Sequence, residues 1–382
     1  MLFSEILGQE PLKNHLINTA LSGRIPHAQL FIGPEGSGTL AMAIAYAQFV
    51  LCQNTGFENS GGNESCNLKF QNLSHPDLHF IYPNVTNDDV KSKPKSADFI
   101  LDWREFVTKN PYGSLFDWYK HLGVQNKQGE IRVEDAQDIL KSLALKSYEG
   151  GYKVMIVWMV DKMNIAASNK LLKLLEEPPE KTLFILISEN EEDIIQTIRS
   201  RCQVLHFNAL PESVIAKAMR EKYFLDEPSA LKVAHLSQGN YNRAIHILNN
   251  DNDDSLFEKW FVDWVRAAYG AKGNPAAIQN LLSWSEEIAG IGREGQKQFL
   301  GFCIDMFRQA LLLNYQTDKL VYIESRVEGF KLDRFAPFVN GNNITDIYKE
   351  LSDAIYHIER NGNAKIILTD LSIKLTRLIH KN

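Results

Sequence analysis

The stretch IGPEGSGTLAMAIAY, Ile32 to Tyr46, opens as a phosphate-binding loop and then departs from one. A loop of the G-x-x-x-x-G-K-[ST] type needs glycines so that backbone N–H groups can wrap the phosphates, a lysine for the β- and γ-phosphates, and a hydroxyl for Mg²⁺. Gly33, Gly36 and Gly38 are in place, but Thr39 stands at the lysine position and Leu40 at the hydroxyl position. The glycines still permit a tight strand-to-helix turn, and the helix N-terminus still offers weak anion affinity. The stretch reads as architecture that has lost its nucleotide chemistry.

Outward from the loop the pattern is α/β. QLFIG (Gln29–Gly33) is a short apolar strand, and TLAMAIAYAQFVLC after it is helical. LHFIYP (Leu78–Pro83) is a second strand, and LFILIS (Leu183–Ser188) is another. KVMIVWMV (Lys153–Val160) is nearly continuous apolar, as expected of a central parallel strand covered on both faces. Between the last two strands, Ile165, Leu171, Leu172 and Leu175 are helically spaced and Pro178–Pro179 stops the helix, which makes a βαβ unit with a right-handed crossover. The next helix is expected to start at Asn190, with Asp193 three residues on and Ile194, Ile195 and Ile198 as its buried stripe, and to end in RSRC (Arg199–Cys202) before a QVLHF strand. The polar segment of about 84–129, irregular apart from DFILDWREFV, reads as a surface insertion. Beyond Pro211 the pattern is helical throughout. The domain expectation is an α/β core over 1–208, a three-helix unit over 209–250, and a helical, aromatic-rich domain over 251–382, with NNDNDDS (Asn249–Ser255) as a linker.

The chain has 382 residues and a formal net charge of -6. That charge argues against a protein whose whole surface coats nucleic acid. Lys365, Lys374, Arg377 and Lys381 read as a solvated helix face. No apolar run suits a membrane span, and the N-terminus has no secretory pattern, so a cytoplasmic location is expected. Four cysteines do not suggest a disulfide framework, which fits a reducing compartment. No nucleophile–base pair shows motif-level spacing, so a stand-alone enzyme is not indicated.

Three stretches together carry a resemblance: GRIPHAQLFIGPEGSG, SHPDLHFIYP and NKLLKLLEEPPEKTLFILISENEEDIIQTIRSRCQVLHF. They resemble the clamp-loader subunits of bacterial DNA polymerase III, a family of AAA+ modules, and its delta-prime branch in particular, over about residues 1–250. The resemblance implies an AAA+ P-loop-type α/β core with a parallel sheet, a small helical lid and an all-α collar. It also implies a heteropentamer with gamma/tau and delta subunits, which opens the sliding clamp and places it on primer-template DNA during replication. DNA binding would belong to the assembled complex, and no membrane is involved.

In such rings ATP binds between neighbours, one subunit supplying the loop and the next the arginine of the S-R-C motif, here Arg201. In ungapped register with the LLKxLEEPP helix, the Asp-Glu pair that serves Mg²⁺ and water falls on Trp158 and Met159; a two-residue gap moves it to Val160 and Asp161. Asp161 itself reads as a helix N-terminal cap or a charge near a helix start. With Thr39, Leu40, Trp158 and Met159 all changed, the expectation is a subunit without intrinsic ATPase activity that acts through Arg201. It would hold no cofactor of its own, the ATP being bound by neighbouring subunits. Arg199 reads as a surface charge. Ser188 and Asn190 match the polar sensor, and Arg243 lies near the lid's nucleotide-sensing arginine, with Asn242 an equal match. Many relatives carry a four-cysteine zinc module. Cys52 and Cys66 match its outer members, whereas Ser60 and Asn63 replace the middle pair and His75 is the one extra donor at hand, so no zinc is expected. The alternative is an active gamma/tau-type ATPase or a related AAA+ DNA-processing protein, which would need a lysine at position 39 and an Asp-Glu pair at 158–159. A nucleic-acid-binding regulator would require DNA affinity in the isolated chain.

Overall fold

The computed structural model describes residues 1–57, 62–124, 127–144, 146–149, 151–249, 252–271, 274–315, 327 and 329–381. They form two compact units, Met1–Leu122 with Gly129–Ile245, and Gly123–Gln128 with His246–Asn382.

The first unit is built on five parallel strands: β1 (Ala28–Ile32), β2 (Leu78–Ile81), β3 (Lys153–Trp158), β4 (Thr182–Ser188) and β5 (Gln203–His206). Their order is β2-β3-β4-β1-β5, which puts β1, β3 and β4 inside the sheet. Those three are buried along their whole length, as helices on both faces require. Its helices are α1 (Glu10–Leu21), α2 (Thr39–Leu51), α3 (Glu64–Gln71), α4 (Ile100–Lys109), α5 (Leu115–His121), α6 (Val133–Ala144), α7 (Ile165–Glu176) and α8 (Gln196–Arg199). The sheet and helices form an α/β core on a parallel sheet, as the sequence pattern predicts. Helix α2 is buried from Leu40 to Val50, consistent with its apolar circumference. Helices α9 (Glu212–Tyr223), α10 (Glu227–Ser237) and α11 (Tyr241–Asn249) follow. Gly239 lets the α10–α11 turn press on Ala209 and Leu210, where its positive φ and the lack of space for a Cβ both demand glycine.

Four expectations change. The segment 84–129 is not surface structure: it builds α4 and α5, and Trp103, Trp118 and Tyr119 are fully buried. Trp103 stacks on Tyr82 with ring centroids 4.0 Å apart and meets Trp118 edge-on at 5.3 Å, while Trp118 Nε1 donates to the Pro83 carbonyl at 2.9 Å. Ser114 and Asp117 cap α5 reciprocally, a polar signal that resembles a loop in sequence. The helix expected from Asn190 does not form as one piece. Asn190 caps only a 3-10 turn, Glu191–Asp193; Ile194 and Ile195 are then extended, and α8 is a single turn. Consecutive β-branched residues favour that extended backbone, and Ile195 points outward. In α7 the buried stripe is Ala167, Leu171, Leu174 and Leu175; Ile165, at the first turn, is 82% exposed. The last change concerns the linker. Asn252–Ser255 already belong to a helix, while residues 250–251 lie outside the described residues.

The second unit comprises α12 (Asn252–Gly270), α13 (Pro275–Ala289), α14 (Arg293–Asn314), α15 (Leu332–Phe335), α16 (Ile344–Glu359) and α17 (Ala364–Leu378). At its centre Trp264 and Trp284 stack with centroids 4.8 Å apart, and Trp264 Nε1 donates to Ser372 Oγ at 2.9 Å. Among the C-terminal cations, Lys365, Lys374 and Lys381 pair with Glu286, Glu350 and Asp346. Charges so paired make a poor phosphate-binding stripe. No helix among the described residues is long and apolar enough to cross a membrane.

Because Trp103 joins the insertion to the sheet, Trp103→Ala is expected to lower the unfolding free energy of the protein by about 3–5 kcal/mol in denaturant titrations. Leu101→Ala, at a position 74% exposed on the same helix, should change it by no more than about 0.5 kcal/mol.

Candidate functional site

The loop after β1 keeps its turn and has lost its cavity. Gly38, at φ 92°, is the N-cap of α2, and the Met42 N–H bonds to its carbonyl at 2.9 Å. Gly36 is at φ 72°, and Gly33 N–H donates to the Ser188 carbonyl at 3.2 Å. A Cβ on Gly33 would meet Phe207, one on Gly36 would fall inside Asn240, and one on Gly38 would lie 2.9 Å from the Tyr112 ring. Around the loop, Gly33–Glu35, Gly38–Leu40, Pro111–Gly113 and Trp158–Met159 enclose only about 20 Å³. That admits about one water, whereas small-molecule sites run to roughly 300–1,000 Å³.

Polar side chains hold the plug in place. Asn240 and Asn242 donate to Glu35 Oε1 at 3.1 and 3.5 Å. Asn242 also donates to Asp117 Oδ2 at 2.6 Å and accepts from Asn110 Nδ2 at 2.7 Å. The Tyr112 hydroxyl oxygen accepts the Leu7 N–H at 2.9 Å, and burial pushes its pKa up to about 12, so it stays protonated. Glu35 therefore places a carboxylate beside the loop that would carry phosphate, and like charges repel. Of the two sensor registers, Asn242 reaches the loop; Arg243 follows it and is half-buried. Glu35, Tyr112 and Asn240 were not singled out by sequence. Glu35 alone had a visible signal, an acid between two loop glycines.

The acid positions are equally altered. Trp158 ends β3, buried, with its ring 5.1 Å from Trp103 and 6.3 Å from Phe106. Met159 is buried and left-handed at φ 56°. Asp161 is a charge near a helix start: it lies in the 3-10 turn Val160–Lys162 ahead of α7, accepts from Ser188 Oγ at 2.8 Å and pairs with Lys162 at 2.8 Å. Ser188 thus serves to tie β4 to that turn. Asn190 accepts the Glu192 N–H and donates to Asp193, both local bonds. Thr39 is half-buried and Leu40 buried in the first turn of α2.

Arg201 stands elsewhere. Strands β1 and β5 run parallel with Gln29 opposite Gln203 and Ile32 opposite His206. Arg201 precedes β5, at the N-terminal edge of the sheet, whereas the loop follows β1 at the C-terminal edge. Four to five residues at about 3.3 Å each separate the two edges by roughly 15 Å. Arg201 therefore does not serve this chain's own loop. Its guanidinium donates to the Thr197 carbonyl at 2.9 Å and to Glu176 Oε1 at 2.6 Å, with the side chain 35% exposed. Arg199 pairs instead with Glu191 at 3.2 Å.

The cysteine pair departs from one expectation drawn from it. Cys52 and Cys66 are joined by a disulfide, against the reading of unpaired thiols, and position 60 lies outside the described residues. Cys66 Sγ, His75 and Glu149 cluster within 4.8 Å. They do not fit a metal: His75 Nδ1 accepts the Asp77 N–H at 3.1 Å, so Nε2 carries the proton and points it at Glu149, 3.4 Å away. Lys69 also pairs with Glu149 and holds its pKa below the usual carboxylate value. Asn63 caps α3 by accepting the Cys66 N–H. Sequence spacing gave no sign of the disulfide, since the two cysteines meet only through the α2–α3 turn.

Rebuilding the loop with Thr39→Lys and Leu40→Thr is expected to give no ATP hydrolysis above background, since the recess stays filled and no acid replaces Trp158. Turnover abolished by a Gly38 substitution would contradict this. Thiol titration of the unfolded chain without reductant should count two reactive groups, Cys202 and Cys303, and four after reduction. Metal analysis should find well under one zinc per chain.

A family model described as "DNA polymerase III, delta subunit" matches residues 8–211. The chain is 26% identical over 236 residues to "DNA polymerase III subunit delta'" of Bacillus subtilis, covering 62% of this chain and 58% of that protein. It is 27% identical over 252 residues to "DNA polymerase III subunit tau" of the same organism, covering 65% and 37%. Escherichia coli "DNA polymerase III subunit delta'" is 26% identical over 240 residues, covering 62% and 59%. The chain thus spans between 37% and 59% of the length of these relatives. Among solved structures, a gamma-subunit-related protein of Thermotoga maritima aligns with 96% of this chain and 99% of its own at 14% identity and TM-score 0.35. The RuvB Holliday junction branch migration motor of that organism aligns over 84% of each chain at 15% identity and TM-score 0.40. With more than half of its length matched by the family model, the chain belongs to the DNA polymerase III delta subunit family.

Proposed function

We propose that the chain is a non-hydrolysing, delta-prime-like subunit of a bacterial clamp loader, and that it lends Arg201 to the ATP site of a neighbouring subunit. The observation that carries this reading is the opposition of the two sheet edges: a filled, acid-lined loop on one and a half-exposed arginine on the other. A planar guanidinium with five N–H donors suits the charge that spreads over a transferring γ-phosphoryl group. Likeness to tau over a similar stretch leaves the gamma/tau reading open by sequence; the filled loop and Trp158 favour the delta-prime one. The partners would be gamma/tau and delta subunits in a heteropentamer, with the sliding clamp and primer-template DNA contacted through the complex, in the cytoplasm. The collar role of the second unit belongs to the same proposal.

The test is assembly followed by substitution. Mixed with its organism's gamma/tau and delta homologues, the chain should enter a complex of defined mass. In that complex Arg201→Ala should leave assembly intact and cut hydrolysis at the neighbouring site by about 10³- to 10⁵-fold, total turnover falling less because other interfaces have their own arginines. Arg201→Lys should rescue poorly, and Arg199→Ala should be mild. Failure to assemble, or wild-type clamp loading by Arg201→Ala complexes, would refute the assignment.

A further inference from the structure

Arg201 is presented at a fixed angle. Thr197, one turn earlier, takes one guanidinium N–H through its carbonyl, and Glu176, brought in by α7, takes another through Oε1. These bonds use one donor on each terminal nitrogen, leaving three of the five for a ligand in front of the sheet edge. Glu176 is the last residue of α7. A carboxylate there meets the negative end of the helix dipole, where a cation is preferred, so helix stability does not account for it. The chain beyond is stiff, because Pro178 and Pro179 restrict the backbone within three residues. The carboxylate is therefore placed by α7, and the guanidinium by the carboxylate.

The geometry points to Glu176 as the positioning residue for Arg201, a role that rests on the reading of Arg201 as a finger acting in trans. Glu176 is 48% exposed and pairs with one terminal nitrogen of Arg201, Nη2, at 2.6 Å, so it orients the guanidinium without needing to contact phosphate. It also lowers the cost of ordering a long side chain: an arginine already held at two points loses less freedom when its remaining donors meet an anion.

The experiment uses the full chain assembled with its gamma/tau and delta partners, and measures steady-state ATP turnover with kcat and KM separated. Glu176→Ala should lower kcat at the neighbouring site by about three- to tenfold, between the worth of an exposed ion pair and the cost of a misplaced catalytic group, with KM nearly unchanged. Glu176→Gln keeps an acceptor oxygen and should restore at least half of the loss. Both variants should melt with wild type. In an Arg201→Ala background Glu176→Ala should have no further effect. If Arg201→Ala itself leaves turnover unchanged, the finger reading fails and this inference falls with it. If Arg201→Ala lowers turnover while Glu176→Ala leaves it unchanged or raises it, or lowers it equally without Arg201, only the positioning role of Glu176 is overturned.

Discussion

Gly36 and Gly38 lie so close to Asn240 and Tyr112 that neither position has room for a Cβ, and the chemistry of the chain follows from that contact. It joins three segments distant in sequence: the loop after β1, the turn between α4 and α5, and the start of α11. The backbone turn that ordinarily wraps phosphate is thereby kept, while the space for phosphate is occupied by protein. An incoming nucleotide would have to expel Tyr112 and Asn240, break the bonds to Glu35, and bring its own negative charge against that carboxylate. On the proposed reading, the loop would resist a nucleotide on steric, polar and electrostatic grounds at once.

The change at the end of β3 belongs to the same arrangement. Trp158 lies against Trp103 and Phe106 of α4, inside a cluster that also takes in Tyr82 and Trp118. An Asp-Glu pair in that setting would be buried among aromatic rings with no Mg²⁺ to offset its charge, at a cost of several kcal/mol. Tryptophan there and the insertion that covers it are two halves of one packing solution. Arg201 escapes this logic because it sits on the opposite edge of the sheet, partly in solvent, where a charge costs little and can be aimed by Glu176.

What could be read from sequence follows from how local each signal is. The central strands were legible because β3 and β4 are nearly unbroken apolar runs. Thr39 and Leu40 were legible because a phosphate loop has fixed spacing. Tyr112 and Asn240 were not, since each meets the loop through a tertiary contact that no periodicity encodes. Helix α5 was missed because its Ser114–Asp117 cap lies in a polar stretch, although Trp118 and Tyr119 were there to be weighed. Ile165 and Ile195 show the limit of spacing arguments: Ile165 faces outward because the buried stripe of α7 has another phase, and Ile195 because its backbone is extended ahead of α8.

The central claim is that this chain meets ATP with the Arg201 edge of its sheet and never with its loop. Photolabelling of the assembled clamp-loader complex with an ATP analogue that carries the reactive group on its γ-phosphate, followed by peptide mapping, tests it most directly. Label on this chain should fall on the peptides bearing Glu176 and Arg201 and be absent from Ile32–Tyr46. Label within Ile32–Tyr46, competed by ATP, would contradict the account.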